Sequence, residues 1–150
     1  ACVGSSMAAQ IGTMTVNDEI AALEIMSISP VRFLMTPRMA AMVMMTPILS
    51  FYTCVLGVIG GGIVGMTQLN VPWDQYITMA IDIARLRDLY VGLLKALVFG
   101  IVITGVSCYE GFTTKMGAVG VGKATRRSVI TSFLLILILG YIITRLFYDL

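Results

Sequence analysis

Two glycine-rich runs have the residue types and spacing of nucleotide-binding motifs. Gly60 to Gly65 fits G-x-G-x-x-G, but no strand–helix–strand pattern surrounds it, so a packed membrane helix is the better interpretation. The run GAVGVGKA, from Gly117 to Ala124, matches a phosphate-binding loop up to its last position. There Ala124 replaces the Ser or Thr whose hydroxyl would hold Mg²⁺. We therefore expect no cofactor on this chain; if the complete protein uses ATP, another chain would hydrolyse it.

Catalytic and metal-binding groups are scarce. The sequence has no His, which removes the commonest general base and metal ligand, and no predicted span contains a pair of carboxylates. Cys2, Cys54 and Cys108 stand singly and form no C-x-x-C pair, so they are interpreted as small apolar residues. The sequence predicts neither an enzyme nor a metal site.

The composition indicates an all-α integral membrane protein. Hydrophobic residues make up 58% of the chain and charged residues 12%, with a mean hydropathy of +0.95. A spanning helix needs about 20 apolar residues. Three segments meet that requirement, 31–69, 89–110 and 128–147, whereas the apolar segment 1–13 is shorter and is interpreted as the end of a preceding helix. We expect the chain to be the C-terminal part of a longer protein.

Lys and Arg predict the orientation of these spans. Six of them fall at the start of the first full span, as Arg32 and Arg38, or in the predicted loop 111–127, and three fall on the other side of the membrane. The positive-inside bias then places 15–28 and 111–127 in the cytoplasm and the C-terminus outside. A short helix over 71–87, with Trp73 and Tyr76 near its start, is expected in the outer interface.

Within the first span, Met39 to Leu69 would form a helix of about 45 Å, longer than the roughly 30 Å hydrocarbon core. We expect it to tilt or to break at Pro47 or at the triplet from Gly60 to Gly62. Gly57, Gly61 and Gly65 recur every four residues and predict a helix-packing face, either within the chain or between two copies.

Lys95 is the one charge in the interior of the second predicted span, whose last residue is Glu110. An ammonium group there must reach the interface or face a polar cavity, because burial in hydrocarbon is costly. The two interpretations stay open; in a cavity, Lys95 would suit an anionic lipid headgroup and is a candidate lipid-binding residue.

The segment 15–28 combines a polar face with helical spacing. Thr15 to Asp18 fits an S/T-x-x-D/E helix start, and Glu19 follows in the first turn, where the helix dipole favours negative charge. The helix should end before Ser29 and Pro30. From these residues alone it can rest on lipid headgroups or dock a cytosolic protein.

Two blocks of this sequence resemble the MlaE/YrbE permease family, the membrane subunits of ABC transporters that move lipids with MCE-domain proteins. The first block comprises VGSSMAA from Val3, IGTM from Ile11, EI from Glu19, ALEIM from Ala22, then Pro30, Arg32, Pro37 and Arg38. The second comprises GLLKALVFG from Gly92, CYEG from Cys108 and GAVGVGKAT from Gly117. The resemblance covers essentially the whole chain, in order.

The resemblance implies a lipid-transporting permease in the bacterial inner membrane that pairs with a second copy of itself. Its partners would be a cytosolic ABC ATPase and an MCE-domain protein, with no nucleic acid involved. The segment 15–28 corresponds to the family's coupling helix. By this analogy the ATPase-coupling residues would be Asp18, Glu19, Ile20, Leu23 and Glu24. An ATP-independent secondary transporter or a membrane scaffold is the alternative.

The chain departs from the family at three positions. Cys2 and Gln10 stand where many members carry Arg and Glu, and Gly140 stands where many carry an intramembrane Asp. If that Arg and Glu form a pair, losing both avoids leaving one buried charge alone. The departures put in doubt any polar relay that uses those groups.

Overall fold

A computed structural model describes residues 2–69 and 71–148 as six α-helices. They are α1 (Cys2–Val16), α2 (Glu19–Ile25), α3 (Thr36–Leu69), α4 (Trp73–Ile83), α5 (Leu86–Phe112) and α6 (Gly117–Tyr148), with a π-helical turn at Val31–Met35 before α3. Ala1, which begins the first predicted segment, lies outside the described residues. The described residues contain no strand, so the all-α prediction is confirmed.

Three stretches are long and apolar enough to cross a bilayer: Val31–Gln68, Leu86–Phe112 and Gly117–Tyr148. Their most apolar windows have mean hydropathies of 1.9, 2.1 and 2.2. Large apolar side chains along all three are exposed, as expected for helices whose solvent is lipid. The prediction of three full spanning helices is confirmed.

Of the two outcomes expected for the first span, a tilt or a break, the structure shows no break. Helix α3 runs without interruption from Thr36 to Leu69, through Pro47 and the glycine triplet. In hydrocarbon, a broken helix leaves backbone N–H and C=O groups without water to bind, so continuity is favoured even where proline removes one hydrogen bond. Proline and glycine are therefore weaker helix breakers here than in a soluble protein.

The predicted loop 111–127 is also mostly helix. Helix α5 ends at Phe112 and α6 begins at Gly117, so only residues 113–116 connect them. Met116 and Gly117 have φ of 71° and 64°, and this left-handed pair reverses the chain. The basic residues in 117–127 suggested a loop, but they lie on the first turns of a long helix.

Helix α2 is shorter than the predicted 15–28, and its predicted start is wrong. Thr15 and Val16 belong to α1, and Asp18 has left-handed φ and ψ of 59° and 14°. The Asp18 side chain makes no capping hydrogen bond. A left-handed residue after Val16 turns the chain, so the S/T-x-x-D/E pattern spans the end of one helix and the start of the next.

The chain divides into two compact units. Residues 1–43 and 98–150 form the first unit, whose core lies where α1 meets α6 and the second half of α5. Residues 44–97 form the second unit, in which α4 packs on α3.

In the second unit, two aromatic side chains of α4 cover glycines of α3. Trp73 and Tyr76 stack with ring centroids 6.2 Å apart, and the Tyr76 hydroxyl donates to the Val58 carbonyl at 3.0 Å. A Cβ at Gly61 would lie 2.8 Å from the Tyr76 hydroxyl, and one at Gly62 would lie 2.6 Å from the Trp73 ring. The absence of a side chain at Gly61 and Gly62 therefore leaves the space that these two rings occupy. Asn70, which directly precedes the predicted helix 71–87, lies outside the described residues.

Candidate functional site

The candidate coupling segment is a short helix held between two left-handed residues. Asp18 turns the chain out of α1, and its carbonyl accepts from the N–H of Ala22 at 3.0 Å. At the other end Ser27 has φ 60°, its N–H donates to Glu24 and the N–H of Ile28 donates to Leu23. These two bonds form a Schellman motif, which defines the end of α2 before Pro30 is reached.

The predicted ATPase-coupling residues differ in exposure and lie on two faces of this segment. Asp18, Glu19 and Glu24 are exposed, whereas Ile20 and Leu23 are half-buried. The most exposed large apolar residues of segment 18–26 are Ile25 and Met26, at 85% and 66%. These two are not among the coupling residues that the resemblance to the family suggested.

The segment is joined to the membrane helices through α1. The hydroxyl of Thr15 lies 2.8 Å from the Ile11 carbonyl and 3.0 Å from the carbonyl of Gly111, near the end of α5. One turn earlier, Gly12 faces Thr114, whose Oγ1 would lie 3.0 Å from a Cβ on that glycine. The base of the segment thus lies on α5 and on the turn that leads to α6.

A seam of small residues brings α1, α5 and α6 together. Buried small residues repeat every four positions on α1 and on α6, and α5 contributes small and hydroxyl-bearing side chains: Gly4, Ala8, Gly12, Thr104, Ser107, Cys108, Gly111, Gly120, Ala124, Ser128 and Ser132. The approach is close, because a Cβ at Gly111 would lie 2.7 Å from Ile11 Cβ. Small side chains drive helix association in lipid by allowing backbones to approach.

Two serines form a polar contact inside this seam. Ser107 Oγ and Ser128 Oγ are 3.0 Å apart, and both side chains are fully buried. One turn further along α6, Ser132 Oγ is buried and has no hydrogen-bond partner among the described residues. Sequence reasoning overlooked the seam because it searched for glycines alone; extending the i, i+4 search to Ala and Ser identifies it.

The glycines predicted as a packing face behave differently from one another. Gly61 faces Tyr76, and a Cβ at Gly65 would reach only ordinary contact with the same ring, at 4.0 Å. Gly57 has nothing of the described structure within 4 Å. The contacts seen at Gly61 and Gly65 are within the chain.

Gln10 has a partner that sequence reasoning did not consider. Its Oε1 accepts from Arg38 Nη2 at 3.2 Å, which joins α1 to the start of α3. Arg38 Nη1 is buried and makes no hydrogen bond within the described residues. An acid at position 10 would therefore meet Arg38, whereas position 2 is two turns away along α1.

Gly140 and Lys95 lie on α6 and α5. A Cβ at Gly140 would lie 3.3 Å from the Phe99 ring, so an aspartate there would require Phe99 to move. Lys95 is half-buried. That is compatible with either of the two interpretations left open for it.

The near match to a phosphate-binding loop has no loop geometry. Gly117 to Ala124 forms the first two turns of α6, so most of its backbone N–H groups are used inside the helix rather than presented to a phosphate. Among the described residues, no cluster of His, Cys, Asp or Glu is placed to hold a metal ion.

Comparison with known proteins gives one consistent result. The family model described as Permease MlaE matches residues 1–146. Similar proteins include a probable ABC transporter permease of Rickettsia typhi, 42% identical over 98% of this chain and 57% of the relative, and one of Synechocystis, 34% identical over 98% and 56%. The intermembrane phospholipid transport system permease protein MlaE of Haemophilus influenzae is 29% identical over 97% and 56%. The chain thus spans a little over half the length of these relatives.

Proposed function

This chain belongs to the MlaE permease family, and we propose that it is part of the membrane subunit of an ABC transporter that moves phospholipid between membranes. The ABC assignment is supported by the names of the relatives that are 34 to 42% identical. Phospholipid as the substrate is supported by the name of the H. influenzae relative. The chain is a multi-pass membrane protein, and we place it in the bacterial inner membrane.

The observation that carries the coupling proposal is the exposed segment 18–26, anchored on the seam. Three carboxylates and the two most exposed large apolar side chains lie in segment 18–26, whose helix has only 7 residues with Asp18 and Met26 as its flanking residues. A helix this short has little stability of its own, so its position depends on α1 and the Thr15 contact. A cytosolic ATPase that moves this segment would therefore move α1 against α5 and α6.

The remaining partners are proposed by analogy with the family. We propose that ATP and Mg²⁺ bind the separate ATPase, that two copies of the permease enclose the lipid cavity, and that an MCE-domain protein receives or delivers lipid. Segment 18–26 and the α5–α6 turn would face the cytoplasm, with the C-terminus outside.

Reconstitution tests this proposal. The full-length protein is assembled in vesicles with an ABC ATPase and an MCE-domain protein from the same organism, and transfer of fluorescent phospholipid is followed with ATP, without ATP and with a non-hydrolysable analogue. We expect transfer only when ATP is hydrolysed. Phospholipid transfer that does not require ATP but depends on an ion gradient would favour the secondary-transporter alternative and overturn the proposal.

A further inference from the structure

An open basic cleft lies at the α5–α6 turn, apart from segment 18–26. Its volume is about 390 Å³, and it is lined by residues of the end of α5, the turn and the first turns of α6. Four cations line it: Lys115, Lys123, Arg126 and Arg127. All four side chains are exposed, and none of them makes a hydrogen bond or ion pair with any residue that the structure describes. Glu110 is the only carboxylate in the lining.

The sequence of α6 places this cleft at the membrane surface. The helix has 32 residues, about 48 Å, which exceeds the roughly 30 Å hydrocarbon core. No charge occurs between Arg127 and Arg145, so the uncharged stretch fills the core and the first turns project beyond it. Lys123, Arg126 and Arg127 therefore lie at headgroup depth.

One face of α6 continues from the cleft into the bilayer. Residues at spacings of four and three begin with cations and become apolar: Lys123, Arg127, Ile130, Leu134, Leu137 and Tyr141. All six are exposed, and Ile130 lines the cleft itself. Such a face matches a molecule with an anionic head and an apolar tail lying along the helix.

We propose that this cleft binds the phosphate headgroup of an anionic phospholipid of the surrounding bilayer, whose acyl chain lies along Ile130 and Leu134. Basic pockets beside membrane helices attract anionic headgroups, and the attraction scales with the number of Lys and Arg residues near the surface. The bound lipid holds the α5–α6 turn and is distinct from transported cargo. The inference requires only that the chain spans a membrane, so it does not depend on transport.

Native mass spectrometry of the full-length protein tests this inference. The protein, in mild detergent, is titrated with phosphatidylglycerol or with phosphatidylcholine, and bound lipids are counted. We expect phosphatidylglycerol to bind more tightly, and each cation removed by Lys123→Gln, Arg126→Gln or Arg127→Gln to weaken it roughly fivefold. The matched control removes three charges elsewhere, with Arg32→Gln, Arg85→Gln and Arg145→Gln, and should keep the affinity.

Glu110→Gln gives a test with the opposite sign. Removing the one carboxylate from the lining should strengthen phosphatidylglycerol binding, a gain that misfolding would not produce. Equal binding of the two lipids, equal loss in cleft and control variants, or weaker binding in Glu110→Gln would overturn the proposal. So would displacement of the lipid by millimolar inorganic phosphate, which would identify a free anion as the ligand. Loss of ATPase association with unchanged lipid binding would also overturn it, by making the cleft a protein-docking surface.

Discussion

The hydroxyl of Thr15 lies 3.0 Å from the carbonyl oxygen of Gly111. This contact joins the last turn of α1, which leads directly into the candidate coupling segment, to the last turn of α5, a membrane helix. A force applied to segment 18–26 therefore reaches a spanning helix through one short connection.

Thr15→Val should reduce this connection while keeping the shape of the side chain. We expect a loss of stability of about 1 kcal/mol, and a fall in lipid-stimulated ATPase activity while the ATPase still co-purifies. Thr13→Val is the control, because the Thr13 hydroxyl bonds only to Ala9 within its own helix. If the Thr15→Val and Thr13→Val variants show the same lipid-stimulated ATPase activity, the Thr15 contact has no part in coupling.

Glu24→Lys should weaken association with the ATPase or its coupling to lipid transfer. The Glu24 side chain is exposed, so reversing its charge changes the docking surface and leaves the chain's packing intact. We expect about a tenfold loss in affinity, measured by pull-down of the full-length protein. Asp74→Lys, an equally exposed charge reversal on α4, should have no effect. Unchanged association and unchanged ATPase stimulation would remove Glu24 from the interface.

Ile25→Ser and Met26→Ser test the apolar part of the same surface. Both side chains are mostly exposed, so their replacement should leave stability within about 0.5 kcal/mol of the parent. If the ATPase covers them, the pair of substitutions should weaken its binding by at least tenfold. Unaltered binding would mean that segment 18–26 rests on lipid instead of docking a protein.

Gly120→Ala should destabilise the first unit, because a Cβ at Gly120 would overlap the carbonyl oxygen of Lys115. We expect a loss of about 1–3 kcal/mol in thermal unfolding followed in detergent. Gly122→Ala, two residues along the same helix, adds its methyl group to open space and should be neutral or stabilising by up to about 1 kcal/mol. Equal behaviour of the two variants would show that the turn can rearrange.

Lys95→Ala should alter lipid transfer or lipid crosslinking at normal expression if the ammonium group faces the lipid path. Lys95→Arg keeps the charge and should retain most of the transfer. Unaltered transfer in Lys95→Ala would favour the simple interpretation that this side chain reaches the interface from an otherwise apolar helix.

Ser107→Ala and Ser128→Ala form a double-mutant cycle across the seam. Each single change leaves the other buried hydroxyl without its partner and should cost about 1–3 kcal/mol. The double variant should cost less than the sum, since both hydroxyls are then gone. Additive losses would mean that the two serines act independently.

Local patterns predicted the spans well and the helix ends poorly. Hydropathy summed over some 20 residues identified 31–69 and 89–110, and α5 differs from its prediction by a few residues. The predicted start of α6 was too late, because the charged residues before 128 were interpreted as a loop. Helix α6 is longer than the bilayer is thick, so its charged first turns lie beyond the hydrocarbon and are still helical. The predicted cap at Thr15 failed because Asp18 adopts a left-handed turn, which depends on what α1 packs against.

The sequence by itself determined that this chain is helical and lies in a membrane, since both follow from runs of apolar residues and from the need to satisfy backbone hydrogen bonds within each helix. Only the tertiary structure decided which small residues meet. The seam through Gly4, Gly111 and Ser128, and the outward position of Ile25, depend on how each helix is rotated about its axis. In lipid, apolar side chains gain little by turning inward, so hydrophobic pattern does not specify that rotation, and close packing of small residues does.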